Sequence, residues 1–185
     1  NNNRGGAIIA EDDTALTIYN CSFSFNRAWR GGAIQIFCTD TSITNSLFES
    51  NGGDSTTYGG AIDMLCEING ADIPVTISNS YFRNNKANMN PGKAGAITGY
   101  GPFIFSLKDS YLYDNEAKEN DEIYFGDGGS AGGATSYFIN LDFNGRPAST
   151  IMESNAQNIN VQSCSAAPTQ CADNGYTPYY GCVDK

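Results

Sequence analysis

Gly31-Gly32-Ala33-Ile34-Gln35-Ile36 alternates apolar and polar positions, and Val75-Thr76-Ile77-Ser78-Asn79 does so again. A period of two is that of a strand with one face buried, and no helical period of useful length separates such stretches. The pattern then returns. The Gly-Gly-Ala-Ile tetrad occupies residues 5–8, 31–34 and 59–62, with Ala94-Gly95-Ala96-Ile97 as a fourth version. Between tetrads lie LTIYNCSFSFN (16–26), TSITNSLFESN (41–51), VTISNSYFRNN (75–85) and FSLKDSYLYDN (105–115), which align without gaps. Each unit therefore predicts three short strands in a fixed order: Gly-Gly-Ala-Ile-x-Ile, Val-Thr-Ile-x-Asn and Ser-x-Phe-x-x-Asn.

Strands that recur in one order without crossover helices stack as the coils of a solenoid. The predicted fold is all-β, a right-handed parallel β-helix of four to five coils over residues 1–145, with a small cysteine-containing cap over 146–185. Stacking places Ile8, Ile34, Ile62 and Ile97 above one another along the bore, and likewise Phe23, Phe48 and Phe82. The closing Asn26, Asn51, Asn85 and Asn115 become a ladder of side-chain amides spaced about 4.8 Å apart. The unequal spacing of the units falls in corner insertions at residues 52–58 and 86–93. If Gly31 stacks on Gly59, Cys38 stacks on Cys66. Their Cα atoms then lie about 4.8 Å apart, inside the window a disulfide needs. A Cys38–Cys66 bridge is expected; a pair of buried free thiols is the alternative.

These residues resemble the repeats of the polymorphic outer membrane proteins, bacterial autotransporter adhesins built on Gly-Gly-Ala-[Ile/Leu/Val] and Phe-x-x-Asn. The Phe-x-x-Asn matches are Phe23 to Asn26, Phe48 to Asn51 and Phe82 to Asn85. In NEAKENDEIYF (115–125), Asp-Glu-Ile-Tyr stands where another tetrad would fall, which is similar to the way such repeat runs end. The resemblance covers residues 5–125 and implies a right-handed parallel β-helix with a surface or adhesive role.

Composition narrows the function. Of 185 residues, 16% are charged against about 25% in ordinary globular domains, and the net charge is −10. With ten Lys plus Arg there is no basic stripe for phosphates, which argues against nucleic acid and an anionic membrane surface. No run of 18 apolar residues is present, so no membrane-spanning helix is expected. The sequence has no histidine, which removes Ser-His-Asp and Cys-His nucleophile systems and most zinc sites. Six cysteines point to an oxidising compartment: the cell exterior or surface, or an organelle lumen. The simplest pairing beyond Cys38–Cys66 puts one bridge among Cys164, Cys171 and Cys182 and a second from that tail back to Cys21. The opening NNNRGG predicts a piece of a longer precursor, and an uncovered first coil predicts a further coil or partner chain against it.

Candidate chemistry is sparse. Asp13, Asp40 and Glu67 follow the tetrads at similar distances and would stack as carboxylates, able to pair in hydrolysis or to hold Ca²⁺, against the simpler reading of a solvated acidic corner. Tyr100, Tyr111, Tyr113 and Tyr124 could form a sugar-binding strip or merely cover the sides of the solenoid. Asn20-Cys21-Ser22 is a glycosylation sequon, but Asn20 is read as a ladder residue and so as unmodified. The expected role is a non-catalytic structural or interaction module without a cofactor. A carbohydrate-binding module comes second and a polysaccharide lyase or hydrolase third.

Overall fold

The computed structural model describes residues 3–11, 14–68, 72–119, 122–126, 135–139, 141, 152–154 and 158–162. The elements among them are all strands. The first coil is β1 (Ile8–Ala10), β2 (Ala15–Tyr19) and β3 (Ser22–Ser24). The second is β4 (Ile34–Phe37), β5 (Asp40–Thr44), β6 (Leu47–Glu49) and β7 (Gly52–Gly53). The third is β8 (Ile62–Leu65), β9 (Ile73–Ser78), β10 (Tyr81–Arg83) and β11 (Lys86–Ala87). The fourth is β12 (Ile97–Tyr100), β13 (Phe103–Lys108), β14 (Tyr111–Tyr113) and β15 (Glu116–Ala117). Beyond them come β16 (Ile123–Gly126), β17 (Thr135–Ile139), β18 (Met152–Ser154) and β19 (Asn158–Gln162).

Equivalent strands of successive coils pair in parallel. One face is β1-β4-β8-β12-β16-β18, the second β2-β5-β9-β13-β17-β19, the third β3-β6-β10-β14, and a narrow fourth edge is β7-β11-β15. The chain is a parallel β-solenoid, as the repeat predicts. The tetrad isoleucines pair in register from Ile8 through Ile34, Ile62 and Ile97 to Ile123, so the Asp-Glu-Ile-Tyr stretch does open another coil. One boundary moves. Strands β18 and β19 join the first and second faces, so the sheets run past residue 145 to Gln162. Cys164, Cys171 and Cys182 lie outside the described residues.

Inward positions fill the bore. Ile34, Ile36, Ile43, Phe48, Ile62, Met64, Val75, Ile77, Phe82, Phe105 and Leu107 have no exposed surface. Phe48 lies between Phe23 and Phe82, with ring centroids 5.0 and 4.7 Å away and planes within 8° and 1° of parallel. Bulk in one coil is matched by a gap in the next. A Cβ on Gly99 would sit 2.5 Å from the Phe125 ring, so the glycine makes room for that phenylalanine.

The two glycines of the tetrad do different work. The first turns the corner: Gly5, Gly31 and Gly59 have φ of 49°, 59° and 53°. The second is a point of contact between coils. A Cβ on Gly32 would lie 2.1 Å from the Gly60 carbonyl oxygen, and one on Gly60 would lie 2.1 Å from that of Gly95. This separates the positions that vary from those that do not. Ala94 replaces a first glycine at φ 49°, while Gly95 keeps the contact. An L-residue in the left-handed region costs about 1–2 kcal/mol, partly offset by the greater freedom of glycine in the unfolded chain. Ala94→Gly is therefore expected to raise the urea unfolding midpoint, by about 0.5–1 kcal/mol in stability.

Candidate functional site

The asparagine ladder forms as expected and has a direction. The Nδ2 of Asn26 donates to Asn51 Oδ1 at 3.0 Å, Asn51 to Asn85 at 3.0 Å, and Asn85 to Asn115 at 2.7 Å. The backbone N–H groups of Asn26, Asn51 and Asn85 donate to the same oxygens. The second proton of each amide from Asn51 onward goes back to the preceding coil, to Phe23, Phe48 and Phe82 carbonyls. At the far end Asn115 Nδ2 also donates to Glu122 Oε2 at 2.6 Å. Glu122, fully buried, stands where earlier tetrads carry alanine and supplies the last acceptor. At the near end, Asn26 Oδ1 accepts no hydrogen bond among the described residues.

A second polar column runs through the aligned segments, one the apolar pattern does not single out. Ser46, Ser80 and Ser110 each accept a backbone N–H from the preceding coil through Oγ, at 3.2–3.3 Å. Each hydroxyl in turn donates to a carbonyl two residues earlier. In the first coil Cys21 takes this place. Its thiol is exposed and free among the described residues, with Sγ donating to the Tyr19 carbonyl oxygen; the tail cysteines expected to bridge it lie outside the described residues.

Cys38 and Cys66 are bridged across neighbouring coils, with Cα atoms 4.7 Å apart, close to the strand spacing that predicted the bond. Gly101 continues the column, since a Cβ there would lie 3.1 Å from that of Cys66. The bridge closes a span of 28 residues, which restricts the unfolded chain by about 3 kcal/mol. The double variant Cys38→Ala/Cys66→Ala is expected to lose about that much in urea titration while keeping its β-sheet circular dichroism.

The outward side of the first face carries a polar and aromatic cluster. The column just before each tetrad bridges Arg4, Arg30, Tyr58, Lys93 and Glu119. Beside it, Gln35, Asp63 and Thr98 pair in register and are fully buried although they point away from the bore. Asp63 explains this. Arg30 Nε donates to Oδ2 at 2.8 Å and its terminal nitrogen to Oδ1 at 3.3 Å; Gln35 Nε2 donates to Oδ2 at 2.8 Å and Thr98 Oγ1 to Oδ1. The Arg30 guanidinium in turn lies 4.4 Å from the Tyr58 ring centre, and Tyr58 meets Tyr100 edge-on at 5.6 Å. Burial first, then the neighbouring tyrosines, pushes the Tyr100 hydroxyl well above its usual pKa, so it stays neutral. With both Asp63 carboxylate oxygens engaged and Arg30 held against the Tyr58 ring, this cluster is a brace between coils two, three and four. The sequence signal for it was the residue before each tetrad, which varies in type but holds one position.

The other sequence candidates are scattered. Asp40 pairs with Ala15, and it follows its bridged cysteine by two residues whereas Glu67 follows by one, so the acids fall out of register. Asp13 lies outside the described residues. Among the described residues no group of three His, Cys, Asp or Glu could hold a metal ion. The four tyrosines do not share a strip: Tyr100 and Tyr124 lie on the first face, Tyr111 and Tyr113 on the third. Asn20 is not on the ladder, which belongs to Asn26; it turns the exposed corner between β2 and β3 at φ 52°. Among the described residues no helix is long and apolar enough to cross a membrane.

Coil one differs from the coils behind it. Ile8, Leu16 and Phe23 are only partly buried, while Ile34, Phe48, Ile62, Val75 and Phe82 are fully enclosed. It also carries apolar groups on its outside. Ile9 is 48% exposed in the column of Gln35, Asp63 and Thr98, and Tyr19 is 67% exposed in the column of Thr44, Ser78 and Lys108. Phe25, 70% exposed, turns the corner that Ser50, Asn84 and Asp114 turn elsewhere. No protein-family model, curated protein or solved structure matches the chain.

Proposed function

We propose that the chain is a non-catalytic structural module of an exported or surface assembly. Its first coil is the joint, covered by a further β-coil laid parallel on the outer edges of β1, β2 and β3. The observation that carries this reading is the contrast between coil one and its own copies. Ile8 and Phe23 are left partly uncovered, Asn26 Oδ1 accepts nothing among the described residues, and apolar side chains stand outward where later coils are polar. Strand edges with apolar ends are templates for pairing. Covering these residues with a coil that places a phenylalanine on Phe23 and an amide against Asn26 would repeat the packing between coils two and three.

The ladder makes the joint one-sided. Its acceptor end is open at Asn26, whereas Glu122 closes the other end, so head-to-tail stacking of identical chains through the ladder is disfavoured and a heterologous partner favoured. The full engagement of Asp63 supports a non-catalytic reading, and the Cys38–Cys66 bridge supports an oxidising compartment outside the cell or in an organelle lumen. The surface role that the Gly-Gly-Ala-Ile and Phe-x-x-Asn resemblance implies is compatible with this. Carbohydrate binding by the tyrosines is less well supported, because the rings divide between two faces and meet one another tilted or edge-on.

Light scattering on native material after size exclusion tests the proposal. The expected particle is larger than one chain and falls to one chain when Ile9→Gln, Tyr19→Thr and Phe25→Ser are combined, each taken from the same column of a later coil. A stable single chain as the native form would overturn it.

A further inference from the structure

We infer that Asn20 is an N-glycosylation site. Asn20-Cys21-Ser22 is the only Asn-x-Ser/Thr triplet in the sequence. The corner itself explains the asparagine, because a single left-handed residue turns every coil here: Asn20, Asn45, Asn79 and Asp109 have φ of 52°, 52°, 47° and 44°. It does not explain the serine. Two residues on, the other coils place Leu47, Tyr81 and Tyr111 at the start of the third-face strand, and each is partly buried. Only coil one combines the corner asparagine with a hydroxyl at the position that glycosylation requires.

The setting is that of an acceptor. Asn20, Cys21 and Ser22 are all exposed. The Asn20 backbone N–H is satisfied by the Thr44 carbonyl at 3.1 Å, while its side chain makes no hydrogen bond among the described residues. Among the described residues no cross-link to Cys21 ties this corner down. The corner projects sideways from the solenoid, whereas the proposed joint is the edge along its axis, so the two can coexist and the inference stands without that proposal.

In the transfer, Asn20 Nδ2 bonds to C1 of the first sugar of a lipid-diphosphate-linked oligosaccharide. The C1–O bond to the diphosphate breaks, the amide nitrogen gives up one proton, and the lipid diphosphate leaves. The bridged cysteines fit an export route in which such a donor and its transferase meet the chain.

The test is to secrete the full chain from a eukaryotic host beside Asn20→Asp and Ser22→Ala. The aspartate variant keeps the corner, since Asp109 turns the same one, and the alanine variant keeps Asn20. The unaltered chain should migrate one glycan heavier and collapse to the variants' mobility on treatment with peptide-N-glycosidase. On native material, the same enzyme in heavy-oxygen water should leave a heavy-oxygen aspartate at position 20. An unshifted secreted chain, or a native peptide carrying only unmodified Asn20, would overturn the inference.

Discussion

Gly60→Ala, like the same change at Gly32, is expected to be among the most damaging single methyls that can be added to the described coils. The new Cβ would lie 2.1 Å from the Gly95 carbonyl oxygen and 2.5 Å from the Lys86 backbone nitrogen. Both are backbone atoms of neighbouring turns, so no side chain can swing aside. Relief requires coils three and four to separate where Ile62 pairs with Ile97 and Asn85 with Asn115. Overpacking a core with side-chain freedom costs about 1–3 kcal/mol, and a backbone collision lies at or above that range. A loss of at least about 3 kcal/mol is expected in urea titration, a large share of a domain's stability. The opposite change one column over, Ala94→Gly, should stabilise. Similar effects from the two would mean that the glycines are interchangeable, contrary to the packing.

Removing a rung from the middle of the ladder is expected to cost a comparable amount. Asn85 accepts from the backbone and side chain of Asn51, both at 3.0 Å, and donates to Asn115 and to the Phe48 carbonyl. Asn85→Ala leaves the Asn51 N–H buried without an acceptor and the Phe48 carbonyl without this donor. At about 1–3 kcal/mol for each stranded group, the expected cost is about 4 kcal/mol. Asn26→Ala removes one half-exposed rung at the open end and should cost about 1 kcal/mol. Asn85→Asp keeps the shape but turns the donor into an acceptor aimed at Asn115 Oδ1 and a carbonyl, so it should be about as harmful as alanine. Equal losses at Asn26 and Asn85, read by thermal unfolding of both variants, would show that the ladder carries no cooperative weight.

Much of this was legible because a solenoid repeats its physics. Two recurring patterns fix which residues share a column: the Gly-Gly-Ala-Ile tetrad places Ile34 on Ile62 and Cys38 on Cys66, and the eleven-residue segment places Phe48 on Phe82. Where copies differ in length, the counting fails. The acids after the tetrads look aligned, but Val75 comes nine positions after Cys66 while its register partner Thr41 comes only three after Cys38, so the chain leaves the column before the second face begins. Polar columns were harder to read than apolar ones. A serine at the same place in three copies could be solvent-facing or buried, and only its bonds to the preceding coil decide. The role of Asp63 is not legible in the sequence because its partners come from the two coils on either side of it, Arg30 and Gln35 from the second and Thr98 from the fourth. Asn20 and Asn26 are hard to tell apart in the sequence because both fall in one eleven-residue segment, and only Asn26 turns its amide along the axis.

Hydrogen exchange read by mass spectrometry tests the joint most directly, on the isolated chain and on native material side by side. In the isolated chain, peptides over residues 15–26 should exchange much faster than those over 73–85, although the two segments are copies of one pattern. In native material the first coil should gain protection approaching that of the third, with little change elsewhere. Equal and unchanged exchange of the first coil in the two samples would contradict the account, because nothing would then cover the edge that coil one leaves open.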